Sequence, residues 1–180
     1  VYPLYAAEAK ALVQYAVKEL GKKRIAIAYL NDEYGKNGLR GAIGQLKANG
    51  LEPVAKVPLE AKDSDLKPHI MKLRKARPDM VLLWNTVPQA AKLVAMGKAM
   101  KFDTQFMAAS TLSDFPLMSY ITKGAWEGVI CATFGELPDH PDVLKVKKEI
   151  FDKYAPKGER WGLFWYAGML LVEPMIEGLK

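Results

Sequence analysis

The sequence predicts an α/β fold, a three-layer sandwich in which a mostly parallel sheet carries helices on both faces. Two observations predict it. Short, almost wholly apolar runs read as strands buried on both sides: RIAIAYL (24–30), DMVLLWN (79–85), TQFMAAS (104–110) and GVICATF (128–134). Stretches of helical period fill the intervals, so that a strand recurs about every 25–28 residues. Alternation of this kind gives parallel strands joined by right-handed helical crossovers.

The elements follow in order. Residues 3–20 place Leu4, Ala7, Ala11, Leu12, Tyr15 and Leu20 on one helical stripe, and Gly21 stops the helix. The strand at 24–30 comes next. GLRGAIGQLKAN is a helix closed by Gly50. EPVAKVPLE (52–60) alternates, and its two prolines suit an edge strand. DSDLKPHIMKLRKA is a helix capped by Asp63 or Ser64, with Pro68 in its first turn. After the strand at 79–85, Pro88 opens a helix that runs to about Met100. The strand at 104–110 leads into a short helix, DFPLMSYITKGA, and then into the last strand at 128–134. Two further helices lie near 141–154 and 161–179, beyond a cluster of turn residues, GELPDHPD, that suits a boundary between two bodies.

Composition narrows the function. Half of the 180 residues are hydrophobic and 26% are charged, which is ample material for a globular core. No run approaches the roughly 18 apolar residues of a membrane-spanning helix. The start, VYPLYAAEAK, has neither a secretory leader's basic region nor an initiator methionine, as expected of a processed or excised chain. The net charge of +6 raises nucleic-acid binding. The basic residues are dispersed, however, as KKR at 22–24, KLRKAR at 72–77 and KVKK at 145–148, and read as solvated helix faces. The single cysteine, Cys131, sits in an apolar run and reads as a small buried hydrophobe.

Enzymatic and cofactor signatures are missing. Gly35, Gly38, Gly41 and Gly44 stand three apart, the wrong spacing for a dinucleotide-binding turn, and read as a small-residue helix face packed close to a sheet. There is no phosphate-binding G-x-x-x-x-G-K-[ST] loop and no G-x-S-x-G nucleophile elbow. His69 and His140, with one distant cysteine, lack metal-site spacing and read as structural or exposed. Neither an enzyme, a metal nor a cofactor is therefore expected.

In open parallel sheets ligands sit beyond the carboxyl ends of the strands. Here those ends are 31–36, 58–64, 85–88, 110–114 and 134–138. YLNDEYGKNG (29–38) has two readings: a loop that shows polar groups and a ring to a ligand, or ordinary turn chemistry between a strand and its helix.

Four segments carry a resemblance: KRIAIAYLNDEYGKNG, LRKARPDMVLLWNTVPQAAKLVAMGKAM, TQFMAASTLSD and GAWEGVICATF. In this order they resemble type I periplasmic solute-binding proteins, and more narrowly the branched-chain amino acid receptors of ABC transporters. The match runs from about residue 4 to residue 180. The resemblance implies two α/β lobes that clamp a small solute without covalent chemistry, and permease subunits as partners. It implies a periplasmic or extracellular location, a lipoprotein anchor included, and a signal peptide in the precursor. It also implies that 1–134 form the second lobe, and that 135–180 cross the hinge and give helices to the first. The apolar stretch with Trp161, Phe164, Trp165 and Tyr166 then wants a partner sheet, and a homodimer through that helix is open.

Carried over residue by residue, Tyr34 falls at the family's pocket-side tyrosine. Thr86 falls where amino-acid receptors place a ligand-contacting tyrosine, and Ser110 where they place the acid that pairs with the ligand ammonium. A buried ammonium without a counter-charge costs several kcal/mol, so the serine counts against an amino acid unless Asp114 or Glu136 substitutes. Asn85, Thr86, Ser110 and Thr111 offer neutral hydrogen bonds suited to a carboxylate, amide or hydroxyl. Trp84, Phe115 and Phe134 offer an apolar wall. The expected ligand is an amino acid, an aromatic or aliphatic carboxylate, or an amide. A ligand-sensing regulatory domain of the same fold, or a doubly wound enzyme, is the alternative.

Overall fold

The computed structural model describes residues 4–179, which divide into two compact units, the chain passing from one to the other between Ala132 and Thr133. The unit up to Ala132 is built on a five-stranded parallel sheet of order β2-β1-β3-β4-β5. Its elements are α1 (Tyr5–Lys18), β1 (Ile25–Leu30), α2 (Glu33–Ala48), β2 (Ala55–Leu59), α3 (Lys67–Lys75), β3 (Met80–Trp84), α4 (Val87–Ala99), β4 (Gln105–Ala108), α5 (Phe115–Ile121) and β5 (Ile130–Cys131). The doubly covered parallel sheet expected from the sequence is present, with β2 at one edge. The chain leaves β1 for β2 on one side and then crosses back to β3 on the other. The carboxyl ends of β1 and β3 therefore flank the point where strand order reverses.

Strand alternation divides the core in two. Ala26, Ala28, Val81, Leu83 and Phe106 face α3, α4 and α5. Ile25, Ile27, Met80, Leu82 and Trp84 face α1 and α2. The α2 glycines permit that second layer. A Cβ on Gly38 would lie 2.2 Å from the Trp84 indole, and one on Gly41 would lie 2.3 Å from the Ala6 carbonyl oxygen. Gly35, Gly38 and Gly41 are thus close-approach positions, against the Leu30 backbone, the Trp84 ring and the α1 backbone, whereas Gly44 is exposed and does not pack against the sheet.

Three local expectations are corrected. The buried face of α1 is Glu8, Ala9, Leu12, Val13 and Ala16. Leu4, Ala7, Ala11 and Tyr15 are exposed, because i, i+3, i+4 spacing counted from Ala9 gives the more continuous apolar surface. Helix α2 starts at Glu33, five residues before the expected start, since Asp32 caps it by accepting the Gly35 amide at 2.8 Å. Helix α3 has Leu66 at its N-cap with no side-chain cap. Asp63 instead accepts the Glu60 amide at 2.7 Å and faces His69 Nε2 at 3.3 Å.

The second unit is helical: α6 (Pro141–Val143) continues through a π-helical stretch, Leu144–Lys148, into α7 (Glu149–Tyr154), and α8 (Leu163–Gly178) follows. Phe151 meets the rings of Trp161 and Trp165 edge-on at 5.5 and 5.2 Å. An ion pair between Lys147 and Glu173 ties the π-helical stretch to α8. A groove of about 770 Å³ lies along this unit, lined by Val146, Ile150, Phe164, Met169, Val172 and Ile176 among others.

Candidate functional site

The candidate site lies at the carboxyl rim of the sheet. Tyr34 occupies the first turn of α2, directly after β1, and the turn-chemistry reading of YLNDEYGKNG is present in the structure. Asp32 performs the turn chemistry, and the helix it starts presents the tyrosine. The Tyr34 ring stands 4.9 Å from that of Tyr5, edge-on, and 6.0 Å from that of Trp84. Its hydroxyl shares a 2.8 Å hydrogen bond with Thr111 Oγ1. One proton lies in that bond, and either oxygen can supply it. Side chains from the ends of β1 and β4 thus meet across the end of β3, and both residues are half-buried.

The end of β3 supplies Trp84, Asn85 and Thr86. Trp84 is wholly buried and belongs to the core, not to an open wall. Asn85 is also buried, and its Nδ2 donates to the Ala28 carbonyl at 2.9 Å, which ties β3 to β1. Asn85 Oδ1 and Trp84 Nε1 are buried without a hydrogen-bond partner among the described residues. Thr86 is exposed, and its hydroxyl donates to Gln89 Oε1. Gln89 Nε2 donates in turn to the Ala61 carbonyl at 2.7 Å, which fixes the segment after β2. Gln89 was not anticipated, although Thr86-Val-Pro-Gln89 carries the threonine-to-glutamine spacing of a capping box.

Ser110 is fully buried, and its bonding partner was not anticipated either. Its amide donates to Glu8 Oε1 at 2.6 Å and its hydroxyl to Glu8 Oε2 at 2.9 Å. Glu8 itself is 7% exposed. Glu8 lies one turn before Leu12 on the buried face of α1, a face that only the structure identifies, so no local signal marked it. Of the two acids considered as substitutes, Asp114 serves as a helix cap, accepting the Leu117 amide at 3.1 Å. Glu136 and Phe134 belong to the other unit, where Phe134 is half-buried. Phe115 is half-buried against the α3–α5 layer of the core.

Cys131 is half-buried against the α3–α5 layer rather than fully buried, and the burial of its thiol pushes the pKa up to about 12 although the neighbouring Trp126 acts in the opposite sense. It is a poor nucleophile at neutral pH. Among the described residues no group of three or more His, Cys, Asp or Glu side chains is arranged to hold a metal ion.

In open parallel sheets the carboxyl rim beside such a reversal point is where ligands bind. The chain belongs to the periplasmic binding protein family, whose family model matches residues 1–180. It is 24% identical over 168 residues to the Leu/Ile/Val-binding protein of Citrobacter freundii, a match covering 93% of this chain and 44% of that protein. Among solved structures it is similar to a branched-chain amino acid ABC transporter protein from Thermus thermophilus with bound valine. There the TM-score is 0.79 at 19% identity, over 90% of this chain and 42% of that one. A solute-binding protein from R. palustris in complex with benzoate gives a TM-score of 0.76 at 16% identity, over 93% and 46% of the two chains. The chain therefore spans less than half the length of the relatives it matches.

Proposed function

We propose that this chain is the second lobe, with part of the first, of the solute-binding receptor of an ABC transporter. It grips a small solute and releases it unchanged to permease subunits. The observation that carries this reading is the convergence of Tyr34, Thr86 and Thr111 at one rim of the parallel sheet. Each is half-buried or exposed, and they come from the ends of three different strands. That is the arrangement for orienting a ligand with a few placed polar groups over an apolar floor. Ser110 and Asn85 support the rim from beneath, since their hydrogen bonds run to Glu8 and Ala28.

The Citrobacter relative is named for leucine, isoleucine and valine, and two similar solved structures, of other proteins, hold valine and benzoate. The proposed ligand is accordingly an amino acid, a carboxylate or an amide. The proposed location is the periplasm or the outer cell surface. Residues 135–180 are read as the hinge crossing and helices of the first lobe. Their exposed apolar face suits a lobe sheet or a second copy of this chain. Sedimentation at rising concentration tests the second copy, and a monomer throughout would end that part of the reading.

A complete cleft that binds at micromolar strength has about −8 kcal/mol at its disposal. One lobe keeps part of the contacts and cannot close over the solute, so millimolar affinity is expected. The test is an NMR titration of the chain with amino acids, aromatic and aliphatic acids, and amides, following the Tyr34 and Thr111 signals. Saturable shifts confined to the rim are expected. Turnover of any of these solutes would overturn the reading in favour of an enzyme.

A further inference from the structure

Two basic runs that lie far apart in the sequence, KKR at 22–24 and KLRKAR at 72–77, meet in the fold. The Arg24 guanidinium donates to the Ala76 carbonyl at 2.7 Å and to the Arg77 carbonyl at 2.9 Å, and so caps the end of α3. Arg74 donates to the Met100 carbonyl at 3.2 Å. Neutral oxygens thus hold both guanidinium groups in place and leave their charge uncompensated. Beside them a shallow groove of about 550 Å³ is lined by Met71, Lys72, Arg74, Lys75 and Arg77. All five are exposed, Met71 to 51%. Among the described residues, none of Lys23, Arg24, Lys72, Arg74, Lys75 and Arg77 belongs to an ion pair. Asp79 joins the two runs, and its carboxylate accepts the amides of Lys23 and Arg24 at 2.9 and 3.1 Å. That one negative charge leaves the cluster strongly positive.

Cations in the last turn of a helix complement its dipole. This accounts for Lys72, Arg74 and Lys75. It does not account for the run that arrives from before β1, or for an exposed methionine in the midst of the charges. The cluster lies at the amino ends of β1 and β3, whereas the segments beyond the carboxyl ends of β1 and β2 carry Asp32, Glu33, Glu60, Asp63 and Asp65. The sign of the charge therefore changes along the strands. We infer that the basic face docks on an anionic phospholipid surface. Cations on long stems reach the phosphate groups, and Met71 supplies an apolar tip for the boundary beneath the headgroups. No aromatic side chain lines the groove, so the stacking that single-stranded nucleic acid uses is missing. The ligand rim lies at the opposite ends of the strands and stays open while this face is bound. Each cation near such a surface strengthens binding roughly fivefold.

The experiment is co-sedimentation of the chain with vesicles of phosphatidylcholine alone, and with phosphatidylglycerol added, at low salt. Binding is expected to the anionic vesicles only, with release as the salt rises to roughly 0.5 M, where the screening length falls to a few ångströms. The triple variant Lys72→Gln, Lys75→Gln, Arg77→Gln should bind about a hundredfold more weakly. A triple of equal charge loss at other exposed lysines, Lys10→Gln, Lys56→Gln, Lys92→Gln, should lose less than tenfold. Both should melt with the wild type. If the first triple melts lower, the pair Lys72→Gln, Lys75→Gln carries the test, with an expected loss of about 25-fold. Equal losses in the two triples would reduce the effect to net charge and overturn the proposal. Equal binding to neutral vesicles, or no binding to either kind, would overturn it as well. Release from the anionic vesicles by duplex DNA or polyglutamate at equal charge concentration would assign the face to a nucleic acid or an acidic protein instead. None of these outcomes bears on solute binding at Tyr34 and Thr111, so the receptor reading stands or falls separately.

Discussion

The unit up to Ala132 and the unit from Thr133 onward bury their apolar residues to different extents. In the first, β3 is buried along its whole length and helices cover both faces of the sheet. In the second, α8 buries Leu163, Tyr166 and Ala167, while Leu171 and Met175 remain 53% and 67% exposed. The difference is geometric. A sheet offers two broad faces, and each takes a layer of helices. A pair of helices can bury only one stripe of each, so a helix that is apolar all round keeps an uncovered face. The first unit holds a core of its own, and the second keeps an exposed apolar surface.

Mutations break or sharpen this contrast. The largest effect is expected from Leu82→Ala in the first unit, a destabilisation of about 2–5 kcal/mol in urea unfolding, because Leu82 is wholly buried between the sheet and α1–α2. Gly38→Ala comes next, at about 1–3 kcal/mol, because its Cβ has no room beside the rigid Trp84 ring. In the second unit, Ile176→Ser is expected to change unfolding by less than about 0.5 kcal/mol, since Ile176 is already half exposed. If copies of the chain associate through α8, the same change should weaken that association in sedimentation. A cost as large as that of Leu82→Ala would show that α8 is covered after all.

Smaller effects test the rim. Tyr34→Phe and Thr111→Val each remove one partner of the same hydrogen bond. Each should weaken solute binding by about 1 kcal/mol, and the double variant by little more than either single change. The smallest effect concerns Cys131. Burial raises its pKa from an ordinary 9.0 to about 12. The folded state therefore holds this proton more tightly than the unfolded one. The resulting stability is complete below pH 9 and is lost as pH rises from about 9 to about 12. Alkylation by iodoacetamide at pH 8 should be slow in the folded chain and fast in urea. Equal rates would show the thiol to be open.

Much of the scaffold was legible because it follows from local periodicity. The apolar runs 24–30, 79–85 and 104–110 each hold a strand of the sheet, and Gly21 and Gly50 adopt the positive φ of helix-ending residues. The stripe of α1 was misread. Tyr15 and Leu4 are apolar and suitably spaced, but which face of a helix is covered depends on what packs against it, here α2 and its glycines.

The rim was legible in part. Tyr34 could be placed from the turn that follows the first strand, and Thr86 and Thr111 from the strand ends. The partners of Thr86 and Ser110 could not. Gln89 anchors the segment after β2, and Glu8 reaches a serine 102 residues later in the chain. By itself the sequence determined the alternation of strands and helices, because burial on two faces and the helical repeat are properties of short segments. Only the tertiary structure decided where the buried carboxylate lies, because a hydrogen bond across such a separation depends on how α1 docks against the end of β4.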